Sequence, residues 1–200
     1  MRANPARTSA TTPDTAPEVE RLADAIAPRY RAWVLVAAYA GLRWSETVGL
    51  RRSDITGPRI TVTGQLIRRS DGQWHRDAPK TRAGRRTVTV DASIADELAA
   101  HLEAFTGPDP GDLVFANQGG RPLNGPSFRS NVWLRALDGA GIEPGLRVHD
   151  LRHTAVALAV AVGAHPKAIQ SRMGHELLLG GVLDAGDFGP EPPLGSVKGV

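Results

Sequence analysis

The chain has 200 residues, of which 41% are hydrophobic and 22% are charged, an ordinary composition for a folded, water-soluble domain. It contains no cysteine, which excludes disulfide bonds and thiolate metal sites. The longest apolar run, residues 32–42, is too short to cross a bilayer. A net charge of +3 permits an anionic partner without requiring one. We therefore predict a soluble, cytoplasmic protein with no membrane association.

Positive charge is concentrated between residues 65 and 90. Seven basic residues stand there against two acidic ones, Asp71 and Asp77, so the segment carries a net charge of +5, more than the whole chain. A basic loop projecting from a sheet is suited to the backbone of a nucleic acid, although it can equally be a solvated surface. The predicted DNA contacts in this segment are Arg68, Arg69, Arg76, Arg82, Arg85 and Arg86.

Hydrophobic residues recur with helical spacing along most of the chain. An apolar face predicts a first helix that starts at Pro17 and stops at Pro28. Residues 29–40 form a second predicted helix, apolar on most sides and therefore central to the core. Gly41 suits the left-handed position that closes a helix, and Ser45 is a candidate N-cap for a short third helix. Further helices are predicted for residues 93–105, from Pro126 to Gly139, from near His149 to Gly163, and from Pro166 to Gly174.

Three segments read as strands from their β-branched residues and alternation: 59–63, 66–69 and 86–90. We predict that they form one small antiparallel sheet, with a long basic connection over residues 77–84. Helices with one inserted sheet indicate an α+β, mainly α fold. The predicted organisation is a flexible leader or linker remnant at 1–16, one folded domain at 17–175, and a Gly/Pro-rich, largely disordered tail at 176–200.

The most informative short segment opens the helix predicted near His149. His149, Arg152 and His153 lie at i, i+3 and i+4, so they project from one face, opposite an apolar stripe that includes Leu151 and Ala155. The start of a helix also supplies free backbone N–H groups and a positive dipole end. An arginine fork there can bind two phosphate oxygens at once. This segment is therefore a candidate phosphate site.

Two other interpretations of this segment remain open. Arg152 can pair with an acid, Asp150 or Glu46, as part of an ordinary polar helix start. His149 and His153, at i and i+4, can also ligate zinc in a metal hydrolase. The zinc hypothesis lacks the glutamate that such a helix needs, has no obvious third ligand, and places arginines beside the cation.

Three further positions can carry chemistry. Arg43 follows Gly41 in a tight turn, which is a good place to present a side chain, and Glu46 can orient its guanidinium. Lys80 lies in the basic connection, where it can donate a proton to a leaving oxygen. His175 follows a glycine at a helix end. Taken alone, each is better explained without a function, as a helix-end arginine, a solvated basic loop and a capping or surface histidine.

Together, and in this order, these motifs resemble the catalytic domain of the tyrosine recombinases, the phage-integrase family. The resemblance covers residues 17–175, and Glu46 matches the acidic position that supports the family's site. It implies a helical domain with a small sheet that binds double-stranded DNA and uses neither a metal nor a cofactor. The motifs that carry it are Gly41-Leu42-Arg43-Trp44-Ser45-Glu46, Lys80, His149-Asp150-Leu151-Arg152 and Met173-Gly174-His175.

The resemblance also implies the roles of five residues. Arg43 and Arg152 would neutralise the non-bridging oxygens of the scissile phosphate as charge builds in the transition state. His149 would assist proton removal from the nucleophile, Lys80 would protonate the leaving 5′ oxygen, and His175 would hydrogen-bond the phosphate. A tyrosine would attack and form a 3′-phosphotyrosyl link.

That tyrosine is not matched in this sequence. The family places it soon after the Gly-His pair, where this chain has Ala185 and Gly186. The only tyrosines are Tyr30 and Tyr39, which we interpret as core or core-edge residues, and Ser196 has no evident activating base. The chain also starts near the linker that follows an N-terminal core-binding domain in larger members. We therefore predict a truncated or degenerate member, without a nucleophile, that cannot form the phosphotyrosyl intermediate alone.

Two hypotheses about function follow. In the first, the chain is an integrase domain for DNA integration and recombination that works only with a tyrosine supplied by an intact recombinase subunit. In the second, it is a noncatalytic DNA-binding module that occupies sites or interferes with an intact recombinase. Double-stranded DNA is the partner in both, and we expect a monomer in solution.

Overall fold

The structure, a computed structural model, describes residues 16–79 and 84–174. The leader predicted at 1–16 lies, except for Ala16, outside the described residues, and so does the tail predicted at 176–200. Three predicted site residues also lie outside them: Lys80, Arg82 and His175.

Helices make up most of the described fold, as expected. α5 and α6 belong to one helical run, joined by a π-helical turn at Arg129–Trp133, and single 3-10 turns cover Pro28–Tyr30 and Arg52–Asp54. The α-helices are α1 (Ala16–Ala25), α2 (Arg31–Ala40), α3 (Trp44–Thr47), α4 (Ala92–Phe105), α5 (Gly125–Phe128), α6 (Leu134–Ala140), α7 (Asp150–Ala161) and α8 (Pro166–Met173).

The centre of the core is α2. Nearly all its residues are buried, and α1, α4 and α7 pack around it. A helix that is apolar on every side is stable only in the interior, so its central position follows directly from its sequence. The ring of Trp33 in α2 contacts the rings of Trp44, Phe128 and Trp133 at centroid distances of 5.6, 5.0 and 6.1 Å. These contacts fix α2 against the run from α5 to α6.

The strands form two small antiparallel sheets, and the prediction of a single sheet is wrong. The first has the order β1 (Ile55–Thr56), β2 (Arg59–Val62), β5 (Arg86–Thr89), with Ile60 opposite Val88. The second is the hairpin of β3 (Gln65–Arg68) and β4 (Trp74–Asp77). Residues 63–64 interrupt the strand conformation between β2 and β3, and β3 then pairs with β4. The sequence Trp-His-Arg-Asp of β4 shows no apolar alternation, so periodicity did not reveal this partner.

The Gly/Pro-rich segment after α4 is anchored by a few apolar residues. Val114 and Phe115 are fully buried, and the Val114 carbonyl lies 2.7 Å from His101 Nε2 of α4. The His101 ring also contacts Phe115 at 5.0 Å. Burial lowers the pKa of His101, which favours a neutral ring that donates from Nε2. This irregular segment is therefore held to α4 by a buried polar contact.

Within residues 16–79 and 84–174, no helix combines the length and apolar character that crossing a membrane requires.

Gly41 ends α2, and a side chain at this position would be unfavourable for two separate reasons. Its φ of 65° is left-handed, and a Cβ at this position would lie 2.9 Å from Met173 Sδ and 3.1 Å from Ala155 Cβ. The close approach of α2 to α7 and α8 therefore depends on this glycine.

We expect Gly41→Ala to lower the free energy of unfolding by about 2–5 kcal/mol, the sum of left-handed strain and overpacking. Gly141 is the matched control, because it also has φ 65° at a helix end, but a Cβ added there would meet no atom within 4 Å. Gly141→Ala should cost only about 1–2 kcal/mol of strain. Urea unfolding of the two variants measures the difference, and equal losses would contradict the packing role.

Candidate active site

The turn between α2 and α3 is the point where β5, α7 and α8 converge. Arg86 of β5 binds Glu46 in α3, and Arg152 of α7 donates to the Gly41 carbonyl. Both arginines also donate to carbonyls in the last turn of α8. The fold thus brings Arg43, Glu46 and Arg152 into one region. Arg86, which was predicted as a DNA contact of the basic segment, lies there too.

The carboxylate of Glu46 is buried between two arginines. Arg86 binds it with both guanidinium nitrogens, Nη1 to Oε1 at 3.0 Å and Nη2 to Oε2 at 2.9 Å. Arg43 adds its Nη1 to Oε1 at 3.2 Å and its backbone N–H to Oε2 at 2.8 Å. Burial alone would raise the pKa of Glu46, but the hydrogen bonds and charges of Arg86 and Arg43 outweigh it and lower that pKa. Glu46 is therefore an anion with several donors.

The start of α3 is capped by Glu46 and not by Ser45, so the predicted N-cap is wrong. The helix begins at Trp44, and the Glu46 carboxylate accepts a hydrogen bond from the backbone N–H of Arg43. Ser45 lies inside the helix and its hydroxyl donates to Gln65 Oε1 at 3.3 Å. An acid near the start of a helix also interacts favourably with the helix dipole. One carboxylate therefore fixes both the backbone and the guanidinium of Arg43.

Arg152 is buried at the start of α7 and joins the ends of two other helices. Its Nη1 donates to the Gly41 carbonyl, where α2 ends, and its Nη2 donates to the Met173 carbonyl at 2.6 Å, where α8 ends. The carboxyl end of a helix carries partial negative charge, so both ends stabilise the cation. The guanidinium is held by backbone groups that no side-chain substitution can remove.

The structure contradicts one expectation about this segment and does not support one of the alternatives left open for it. Arg152 does not share an outward face with His153, because Arg152 is only 8% exposed and His153 is exposed. Arg152 also does not pair with Asp150 or Glu46. Asp150 is bound instead by Arg147, through its Nη2 at 2.9 Å and its backbone N–H at 2.7 Å. The first two turns of α7 are packed on nearly every side, which the i, i+3, i+4 spacing alone does not predict.

His149 precedes α7 as its half-buried N-terminal residue. Its ring meets that of His153 edge to face, with the centroids 5.6 Å apart. Burial, followed by the positive charges of His153 and Arg152, lowers the pKa of His149. A lowered pKa favours the neutral imidazole near pH 7, the form that can accept a proton.

The zinc interpretation gains no support from the geometry. In the part of the chain that the structure describes, no three His, Cys, Asp or Glu residues are grouped as metal ligands would be. Asp150, between the two histidines, is already bound to Arg147.

The predicted DNA-contact arginines divide into surface and interior residues. Arg68, Arg69 and Arg85 are exposed, with Arg69 3.5 Å from Asp77 in an ion pair. Arg76 is largely enclosed: its Nη2 donates to Thr63 Oγ1 at 2.6 Å.

Arg86 differs most from the expectation of a DNA contact. Its side chain is 5% exposed and is bound to Glu46. Arg76 shares this internal role, because its Nη2 also reaches the buried Asp54 at 3.4 Å. Both side chains therefore bind groups within the protein. A basic segment of sequence does not reveal which of its arginines point inward.

The two tyrosines lie in the helical core, as interpreted from the sequence. Tyr30 is buried and its ring meets Phe128 at 5.2 Å, while Tyr39 packs at the edge of the core. Burial raises the pKa of both phenols.

Two residues near the site were missed by sequence reasoning. Arg147 binds Asp150, and the i, i+3 spacing of an arginine and an acid was an available signal. Arg172 of α8 donates from Nη2 to the Thr89 carbonyl of β5 at 2.7 Å. This contact joins residues 83 positions apart, and no local pattern announces it.

Comparison with known proteins identifies the family of this chain. Residues 15–178 match the phage integrase family. The chain belongs to that family. It is 34% identical over 167 residues to the prophage phiRv2 integrase of Mycobacterium tuberculosis, covering 82% of this chain, and 30% identical to the integrase of Mycobacterium phage L5, covering 80%.

The fold is shared with a solved integrase. The Tn1549 transposon integrase, solved in complex with circular intermediate DNA, superposes with a TM-score of 0.70 at 23% identity, over 84% of this chain and 61% of that one. The chain spans 44% of the length of each of the two mycobacterial integrases. The α+β fold, mainly helical with small antiparallel sheets, is therefore that of the tyrosine-recombinase catalytic domain.

We expect Glu46→Gln to lower the free energy of unfolding by about 3–5 kcal/mol, because it leaves the buried Arg86 without its counter-charge. Glu103 is the matched control: it also binds an arginine, Arg52, at 3.2 Å, but its side chain is 81% exposed. Glu103→Gln should change stability by less than about 1 kcal/mol. Chemical denaturation of both variants tests this, and a similar small loss for Glu46→Gln would show that the buried pair contributes little.

Proposed function

We propose that this chain is a DNA-binding integrase domain that grips the backbone phosphate in site-specific recombination but does not cleave DNA by itself. One observation carries this proposal. Arg152 donates to the carbonyl of Gly41, two residues before Arg43, so both family-type arginines emerge at the same turn. Two guanidinium groups at one point suit a phosphate, whose oxygens accept bidentate hydrogen bonds.

In this proposal the residues divide the work by their chemistry. Arg43 and Arg152 neutralise the non-bridging oxygens as charge builds in the transition state. The neutral ring of His149 accepts a proton from the attacking hydroxyl. Lys80 and His175 keep the roles implied by the family pattern, as proton donor and phosphate hydrogen-bond donor, although both lie outside the described residues.

The attacking hydroxyl would come from another subunit. Tyr30 is packed against Phe128 in the core, and Tyr39, in the last turn of α2, is partly buried against the edge of the core, so neither suits attack on a bound phosphate. An intact recombinase that carries its own tyrosine is the partner this proposal requires. Without one, the chain would bind DNA and form no covalent link.

Binding is tested with a fluorescein-labelled, mixed-sequence DNA duplex over a series of salt concentrations. Arg43→Ala and Arg152→Ala should each lower the slope of log binding constant against log salt concentration, by at most about 0.9, because the two arginines share one phosphate contact. Arg21→Ala is the control, because Arg21 lies on α1 with its side chain 57% exposed and is paired with Glu18. An unchanged slope in both site variants would refute the phosphate-binding role.

Cleavage is tested with a nicked suicide duplex that traps covalent intermediates. The purified chain should give no protein–DNA adduct on a denaturing gel, because no tyrosine is placed to attack. A covalent adduct from the chain alone would show that it has its own nucleophile. Tyr30→Phe and Tyr39→Phe variants would then identify or exclude the two candidates.

A further inference from the structure

Arg86 is held by several hydrogen bonds within the site, yet the family pattern gives it no role here. It lies at the start of β5 and its side chain is 5% exposed. Four bonds hold its guanidinium: two to the Glu46 carboxylate, one to the Gly84 carbonyl and one to the Arg172 carbonyl. With four of its five N–H donors bonded within the protein, Arg86 does not reach a ligand directly, so any effect on phosphate binding must pass through its neighbours.

The first neighbour links Arg86 to Arg43. Arg86 and Arg43 bind the same two oxygens of Glu46, with Nη1 of both on Oε1. The bidentate grip of Arg86 sets the plane of the carboxylate. That plane in turn sets the position of the backbone N–H and guanidinium of Arg43. Arg86 therefore sets the position of Arg43 indirectly, through Glu46.

The second neighbour links Arg86 to Arg152. Arg86 Nε donates to the Arg172 carbonyl at 2.6 Å, and Arg152 Nη2 donates to the next carbonyl, that of Met173, also at 2.6 Å. Arg172 returns a bond from its own Nη2 to Thr89 at 2.7 Å. α8 and β5 are thus tied in both directions. The last turn of α8 is held by two arginines from different elements.

We propose that Arg86 is a positioning residue for the phosphate-binding pair, acting through Glu46 on Arg43 and through the end of α8 on Arg152. This inference rests on the proposed function. The positioning role requires an arginine. Only a planar guanidinium, with its Nε donor in addition to the two terminal nitrogens, can bind a carboxylate on one element and a carbonyl on another at the same time. A lysine would keep the charge near Glu46 but would not also hold α8.

The test is a mutant cycle measured with the same fluorescein-labelled duplex. In the otherwise natural chain, we expect Arg86→Met to weaken binding at 0.1 M salt by at least about eightfold, the counterion contribution of one phosphate contact. In an Arg43→Ala/Arg152→Ala background, Arg86→Met should change affinity by less than about twofold, because the residues it positions are gone. Equal losses in both backgrounds would overturn the positioning role, since a direct contact or general damage would be additive.

Two further variants separate positioning from folding. Arg86→Met alone leaves Glu46 buried without its main partner, so Glu46→Gln/Arg86→Met is measured in parallel, because it leaves no such anion. It should show the same weakened binding with a cooperative unfolding transition. Arg86→Lys should recover only part of the lost affinity, the part that Arg43 contributes when Glu46 holds it in place. Full recovery with lysine would contradict the link through α8.

The control is Arg52→Met. Arg52 also ties elements together, with bonds to the carbonyls of Leu102 and Gly107 at 3.0 and 3.3 Å, but it lies apart from Arg43 and Arg152. It should lower stability and leave the salt slope unchanged. If Arg43→Ala/Arg152→Ala binds DNA like the natural chain, the proposed function fails and the positioning role with it. If that variant binds weakly but Arg86→Met has no effect, only the positioning role fails.

Discussion

The ion cluster of Glu46 is the interaction on which the candidate site depends. Removing a carboxylate from water costs several kcal/mol unless hydrogen-bond donors replace the water. Here Arg86 and Arg43 supply them, and one donor is the backbone N–H that opens α3. A helix of four residues has little stability of its own. The cluster therefore holds α3 in place and, with it, the turn that carries Arg43.

Backbone carbonyls at helix ends complete the framework around this cluster. α2 and α8 both end in a left-handed glycine, Gly41 and Gly174. After each of them the chain turns away from the helix axis, so nearby carbonyls can accept hydrogen bonds from other donors. Arg152 bridges the two ends, and Arg86 binds the carbonyl one residue earlier in α8. The absence of a side chain at Gly41 lets Met173 approach closely enough for this bridge. Helix packing and arginine placement are thus one constraint.

Sequence reasoning reached those parts of the site that local patterns encode. Helical periodicity and the glycine turn placed Arg43 and Arg152 at helix boundaries, where the structure has them. It failed where partners are distant in the chain. The strand β4 is defined by its pairing with β3 and has no alternation of its own. Charge density suggested that Arg76 and Arg86 face solvent, but their burial depends on Asp54 and Glu46, which lie 22 and 40 positions away.

The charges of the region support the proposed phosphate-binding role. Arg43, Arg86 and Arg152 are three cations, and Glu46 is one anion, while Arg147 and Asp150 offset each other. The ends of α2 and α8 each add about half a negative elementary charge beside Arg152. The region therefore remains net positive, and the start of α7 adds further positive charge, which favours an anionic phosphodiester. Negative charge that develops on the leaving oxygen during bond cleavage needs a proton donor, so arginines alone do not complete the chemistry.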